Sequence, residues 1–110
     1  MTLPDYADKE PARDEVNALP GATLLEFGAP WCGICRGMQP ALATALKAFP
    51  GLRHLKVEDG PGHPLGRSFG IKLWPTLVLL KDGQEQERLV RPRDLASIAQ
   101  ALERLQTATA

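Results

Sequence analysis

Cys32 and Cys35 stand two residues apart in the segment Trp31-Cys32-Gly33-Ile34-Cys35, and they are the only cysteines in the chain. Just before them, Ala22 to Phe27 is a largely apolar run with the character of a strand, interrupted by one acid, Glu26. Just after them, Met38, Leu42, Ala45 or Leu46, and Phe49 recur on one face of a helix running from Ile34 to about Phe49. A dithiol at a strand-to-helix junction can take up and give back two electrons by closing and opening a disulfide. That arrangement is far narrower than a bare pair of cysteines. It requires an α/β chain with the pair at a helix start.

The remaining patterns extend this order. Ala12, Val16 and Leu19 predict a helix from Pro11 to Leu19, with Glu10, Asp14 and Glu15 near its start and Pro20-Gly21 as its stop. Pro40 lies inside the helix after the cysteines, where it cannot bond the Arg36 carbonyl and is expected to kink the chain. Pro50-Gly51 ends that helix. Leu52 to Glu58 predicts a strand, Asp59 to Pro64 a turn-rich connector, and Leu65 to Phe69 a helical turn before Gly70. Thr76 to Leu80 is continuously apolar, as in a strand covered on both faces. Lys81-Asp82-Gly83 is a hairpin signal, because Asp-Gly suits positive φ. Gln84 to Val90 is polar and predicts an edge strand. Leu95, Ile98, Ala99, Leu102 and Leu105 form a last helical stripe, with Pro92 suited to its first turn. Residues 1 to 9 are weakly patterned and give a short first strand little local support. Thr107 to Ala110 is expected to fray. β-α-β units imply parallel strands, and the hairpin adds an antiparallel pair. The expected fold is α/β, a central mixed sheet with helices on both faces.

A chain of 110 residues is one ordinary domain, 1–110. At 44% hydrophobic it can bury a core without staples. Thirteen basic and thirteen acidic residues balance, which leaves no nucleic-acid footprint and no polybasic arm for a membrane. The first residues, Met1 to Tyr6, have neither a basic nor an apolar leader region, and no stretch nears the ~20 apolar residues of a membrane span. These points set the expectation of a cytoplasmic protein. In a reducing compartment, cysteines two residues apart serve catalysis or metal binding rather than a structural staple.

At a helix start, unsatisfied N–H groups and the macrodipole favour negative charge. Cys32 is therefore the expected attacking thiolate. Cys35, one turn in, should be more buried and should resolve the mixed disulfide. Gly33 and Ile34 bring no charge, so tuning must come from backbone and neighbours. The competing reading is half of a zinc site completed by His54 and His63. Structural zinc sites want four ligands at recognisable spacing, and the chain offers neither a second Cys-x-x-Cys nor a His-x-x-x-His pair. No metal is expected. His54 reads as a solvated or partly covered strand residue and His63 as a loop residue.

These residues resemble the thioredoxin family. The matching positions are Phe27, Ala29, Trp31 to Cys35, Pro40, Pro75-Thr76 and Lys81-Asp82-Gly83, in the family's order from about residue 22 to 105. The resemblance implies the thioredoxin fold and a dithiol active site. It implies that Cys32 is the exposed nucleophile and Cys35 the resolving thiol. Pro75 then corresponds to a cis-proline facing the dithiol, with the Trp74 backbone pairing to an extended substrate segment. Trp31, Gly33, Ile34, Trp74 and Pro75 are the implied substrate surface, while Phe27, Phe49 and Phe69 are most simply core. Glu26 aligns with a buried family aspartate and Lys56 with its neighbouring lysine. A carboxyl withdrawn from water favours its neutral form and can pass a proton. Glu26 is thus the expected proton relay for Cys35, directly or through a water, with Lys56 moderating its charge.

Several positions depart from the family. Ile34 replaces the usual proline between the cysteines and suggests a more oxidising pair. Gly28 replaces a bulky aromatic and could loosen packing beneath the site. Trp74 is unusually large before the cis-proline position. Val90-Arg91-Pro92 stands where the family has a groove glycine, so Arg91 either favours acidic partners or points into solvent. The implied activity is reduction of protein disulfides without a bound cofactor, supplied by NADPH through a thioredoxin reductase, by a monomer. The alternatives are a client-specific oxidase or isomerase, and a non-catalytic binding module on the same scaffold. A glutathione-dependent glutaredoxin fits the tryptophan-led motif less well.

Overall fold

The computed structural model describes residues 5–107. Its elements in chain order are α1 (Arg13–Asn17), β1 (Ala22–Gly28), α2 (Gly33–Leu46), β2 (Arg53–Glu58), α3 (Pro64–Ser68), β3 (Thr76–Lys81), β4 (Gln84–Val90) and α4 (Leu95–Thr107). The sheet order is β2-β1-β3-β4. β1 pairs parallel with β2 and antiparallel with β3, and β3 pairs antiparallel with the edge strand β4. β1 is thus a central strand, which is why nearly every residue in it is buried.

Strand alternation assigns the two faces. Leu24, Leu77 and Leu79 pack beneath α2 and α4 against Met38, Leu42 and Leu102. Leu25, Phe27, Val78 and Leu80 face the other way, against Val16 of α1 and Leu65 of α3. Glu26 shares the parity of Leu24. Its side chain therefore points under α2, and it is fully buried.

Several element ends differ from the sequence expectation. α1 spans Arg13–Asn17 rather than Pro11 to Leu19, and the Ala12 N–H is held by Glu15 Oε1 at 3.0 Å. α2 closes at Leu46, three residues early, because single turns take over, with Phe49 N bonded to Leu46 O at 2.9 Å. It runs without interruption through Pro40. α4 begins at Leu95, so Pro92 precedes it. Asp94 starts the helix instead, its carboxylate accepting from the Ser97 N–H at 2.9 Å. Of the weakly patterned first residues, Met1 to Pro4 lie outside the described residues. Residues 5 to 9 form no strand, and a single backbone bond, Ala7 N to Lys56 O at 2.8 Å, lays them along β2. Of the fraying expected from Thr107 to Ala110, Thr107 is still helical and residues 108 to 110 lie outside the described residues.

Candidate active site

Cys32 forms the N-cap of α2, and its sulfur accepts a hydrogen bond from the Cys35 N–H at 3.2 Å. One helical turn therefore brings the two sulfurs to one end of the sheet. Both are free thiols. Cys35 is 2% exposed and Cys32 8%. The order matches the attacking and resolving positions, but Cys32 is more covered than an exposed nucleophile would be. Ala29 and Trp74 pack against the pair. Burial pushes the Cys35 thiol up to about 11, and its hydrogen bond with Cys32 adds to the rise.

The Trp74–Pro75 peptide bond is cis and places Trp74 against the dithiol. The Trp31 and Trp74 rings meet edge to face with centroids 5.3 Å apart. The Trp74 indole N–H donates to Asp59 Oδ2 at 2.8 Å. Within and beside the motif, Trp31 and Ile34 leave large apolar surfaces in water, as do Leu73 and Val90 elsewhere on the surface. Gly33 stands exposed at the first position of α2.

Beneath the dithiol, Glu26 is held by two partners. Gln39 Nε2 donates to Glu26 Oε2 at 2.9 Å and lies 3.1 Å from the Cys35 carbonyl. His54 Nε2 meets Glu26 Oε1 at 2.8 Å. Neither contact with Glu26 was legible in the sequence. His54 is a partly covered strand residue, as expected, and it lies opposite Leu24 in the β1–β2 register and so faces under α2 with Glu26. Gln39 is one turn beyond Cys35 on α2, a spacing that could have marked it.

Lys56 stands beside Glu26 in the strand register, yet its ammonium is drawn elsewhere. It lies 3.5 Å from Gln39 Oε1 and 4.6 Å over the Tyr6 ring. Lys56, expected to moderate the charge of Glu26, is linked to that carboxylate through Gln39. Tyr6 is the other residue the sequence did not mark. A Cβ on Gly28 would stand 2.8 Å from Cys35 Sγ and 2.9 Å from the Tyr6 hydroxyl. The room left by the missing aromatic is therefore filled by Tyr6 and Cys35. Burial raises the Tyr6 phenol, with the nearby Cys35 and Glu26 charges adding to it. Tyr6, Ala29, Cys35, Gln39 and Lys56 line a cleft of about 220 Å³ that opens to solvent. His63 is engaged on another surface, 3.0 Å from Glu10. Among the described residues, no three His, Cys, Asp or Glu side chains converge as a metal site.

The Thioredoxin family model matches residues 6–104 of the chain. The chain belongs to the thioredoxin family. Thioredoxin 2 from Pseudomonas aeruginosa PAO1 in its reduced form is 49% identical, with a TM-score of 0.88 over 98% of this chain and 100% of that one. A thioredoxin from Chlamydia muridarum is 34% identical over 78% of this chain and 84% of that protein. A 38% match to protein disulfide-isomerase A2 of Pongo abelii covers 76% of this chain but only 17% of that longer protein. With this family's Cys-x-x-Cys at the family's place in the fold, the chain is a thiol–disulfide oxidoreductase that works through a redox-active disulfide.

Proposed function

We propose that the chain reduces protein disulfides as a monomer in the cytoplasm and is recharged by a thioredoxin reductase using NADPH. The supporting observation is the arrangement of two unequal thiols near a buried carboxyl, with the exposed apolar side chains of Trp31 and Ile34 beside them. The Cys32 thiolate attacks one sulfur of the substrate disulfide. A mixed disulfide forms, and the other substrate sulfur leaves as a thiolate and takes a proton. Cys35 then loses its proton and attacks Cys32 Sγ. The Cys32–Cys35 disulfide closes, the second substrate thiol departs, and two electrons have passed to the substrate. The reductase returns two electrons and two protons to the pair.

The second step meets the larger obstacle, because Cys35 holds its proton strongly. Glu26 takes that proton through a water in the cleft beside Cys35, with Gln39 and His54 orienting its two oxygens. Lys56 acts on this relay through Gln39. Trp31, Gly33, Ile34, Trp74 and Pro75 form the substrate face, where the Trp74 backbone adds to an extended segment of the client.

No helix among the described residues is long and apolar enough to cross a membrane. Insulin reduction by the purified protein tests the activity. The wild type with a reductase and NADPH should precipitate the B chain, and Cys32→Ser should abolish this. Full activity in Cys32→Ser would overturn the reading.

A further inference from the structure

Trp74 is held at both ends. Asp59 takes its indole N–H, and Arg91 Nε donates to its carbonyl at 2.9 Å. The Arg91 N–H donates to the Pro75 carbonyl at 2.8 Å. Arg91 thus spends two donors on the two carbonyls that flank the cis bond. It does so from φ +51°, a region that residues other than glycine rarely occupy. The guanidinium is therefore an exposed charge anchored through its Nε rather than a side chain lost in solvent. It occupies one of the two lone pairs of an acceptor that an added strand also uses, because an antiparallel residue pair exchanges both its N–H and its C=O.

Among the described residues, neither Arg91 nor Arg93 forms an ion pair, although Arg88 and Arg104 on β4 and α4 do. A cleft of about 220 Å³ between Ile34, Met38, Pro92 and Arg93 opens beside the apolar face. The acid closest to Trp74, Asp59, is committed to the indole.

We propose that Arg91 is a specificity latch on the Trp74 carbonyl. The inference rests on the reading that an extended substrate pairs with Trp74. The free protein keeps that carbonyl capped. A client segment docks when an acidic residue beside its cysteine draws the guanidinium off Trp74 and leaves the acceptor to the client's N–H. Neutral segments must displace the latch without that compensation. The occupant is therefore an extended cysteine-bearing segment with a flanking Glu or Asp.

Two peptide disulfides test this, one with Glu on each side of its cysteine and one with Gln there. Wild type should reduce the Glu peptide with a kcat/KM roughly three- to tenfold higher, mostly through KM, a range set by a partly solvated charge pair. Arg91→Ala and Arg91→Gly should bring that ratio close to one. Both should also lower KM for the Gln peptide, since Trp74 is then uncapped. Glycine adopts φ +51° without strain, so Arg91→Gly preserves the loop if alanine does not. A ratio unchanged in both variants, or a ratio near one in wild type, overturns the latch while leaving the oxidoreductase reading intact. A wild type that reduces neither peptide nor insulin overturns both.

Discussion

Gly28 carries a constraint that its position in a strand would not announce. The absence of a side chain there lets Cys35 Sγ and the Tyr6 hydroxyl both close on the end of β1. Gly28→Ala forces a methyl group within 3 Å of both, and neither is the free end of a long flexible chain. Overpacking of this kind costs about 1–3 kcal/mol. The substitution should lower the urea midpoint with m unchanged, and an unchanged midpoint would show that Tyr6 simply moves aside. Glu26 gives a second prediction, on pH. Below about 11, the Cys35 thiolate fraction falls with each step of acidity. With Glu26 as acceptor, resolution should respond weakly to pH near neutrality. In Glu26→Gln the step should depend on free hydroxide, slow by roughly tenfold or more at pH 7 and steepen towards tenfold per pH unit. Stopped-flow decay of a mixed disulfide would measure it, and a parallel profile in both proteins would remove Glu26 from the relay.

The β3–β4 hairpin shows how a local turn serves a distant element. Asp82 and Gly83 both take positive φ, at 51° and 79°, the pattern of a turn that suits the twist of paired strands. Asp82 reaches back to hold the Gly21 N–H at 2.7 Å, at the start of β1. Gly83 faces the Asn17 carbonyl at the end of α1, where a Cβ has no room. Gly83→Ala should therefore cost more than its backbone conformation alone, upwards of ~1 kcal/mol, and be visible as a lower Tm. Strand and turn positions were plain in the sequence because their signals are local. Short continuous apolar runs marked β1 and β3, and Asp-Gly marked the hairpin. The ends of α1 and α2 and the start of α4 were not plain. The turns after Leu46 keep some helical bonding, and the cap at Asp94 competes with a proline two residues earlier.

Across the molecule, the sheet separates a chemical end from a structural remainder. The dithiol, the cis peptide bond and the Trp31–Trp74 pair lie together, whereas the polar edge strand β4 carries ion pairs such as Arg104–Glu87. One consequence is covalent trapping. Cys35→Ser leaves Cys32 able to attack but removes release, so the variant mixed with a disulfide-bonded protein should accumulate an adduct. Non-reducing electrophoresis should show the adduct, and a thiol reductant should dissolve it. No adduct with Cys35→Ser, while Cys32→Ser also gives none, would mean that Cys32 does not start the exchange.

The sequence by itself determined the dithiol, its place at a helix start and the central mixed sheet. Each follows from spacing and periodicity within one or two elements, where local sterics and apolar patterning are decisive. Only the tertiary structure decided who stands around them. His54 reaches Glu26 through the β1–β2 register. Tyr6 fills the room above Gly28 from a segment without pattern, and Lys56 turns to Gln39. Arg91 caps Trp74 across 17 positions of chain. These contacts join residues far apart in sequence, and their formation depends on packing geometry that no local propensity encodes.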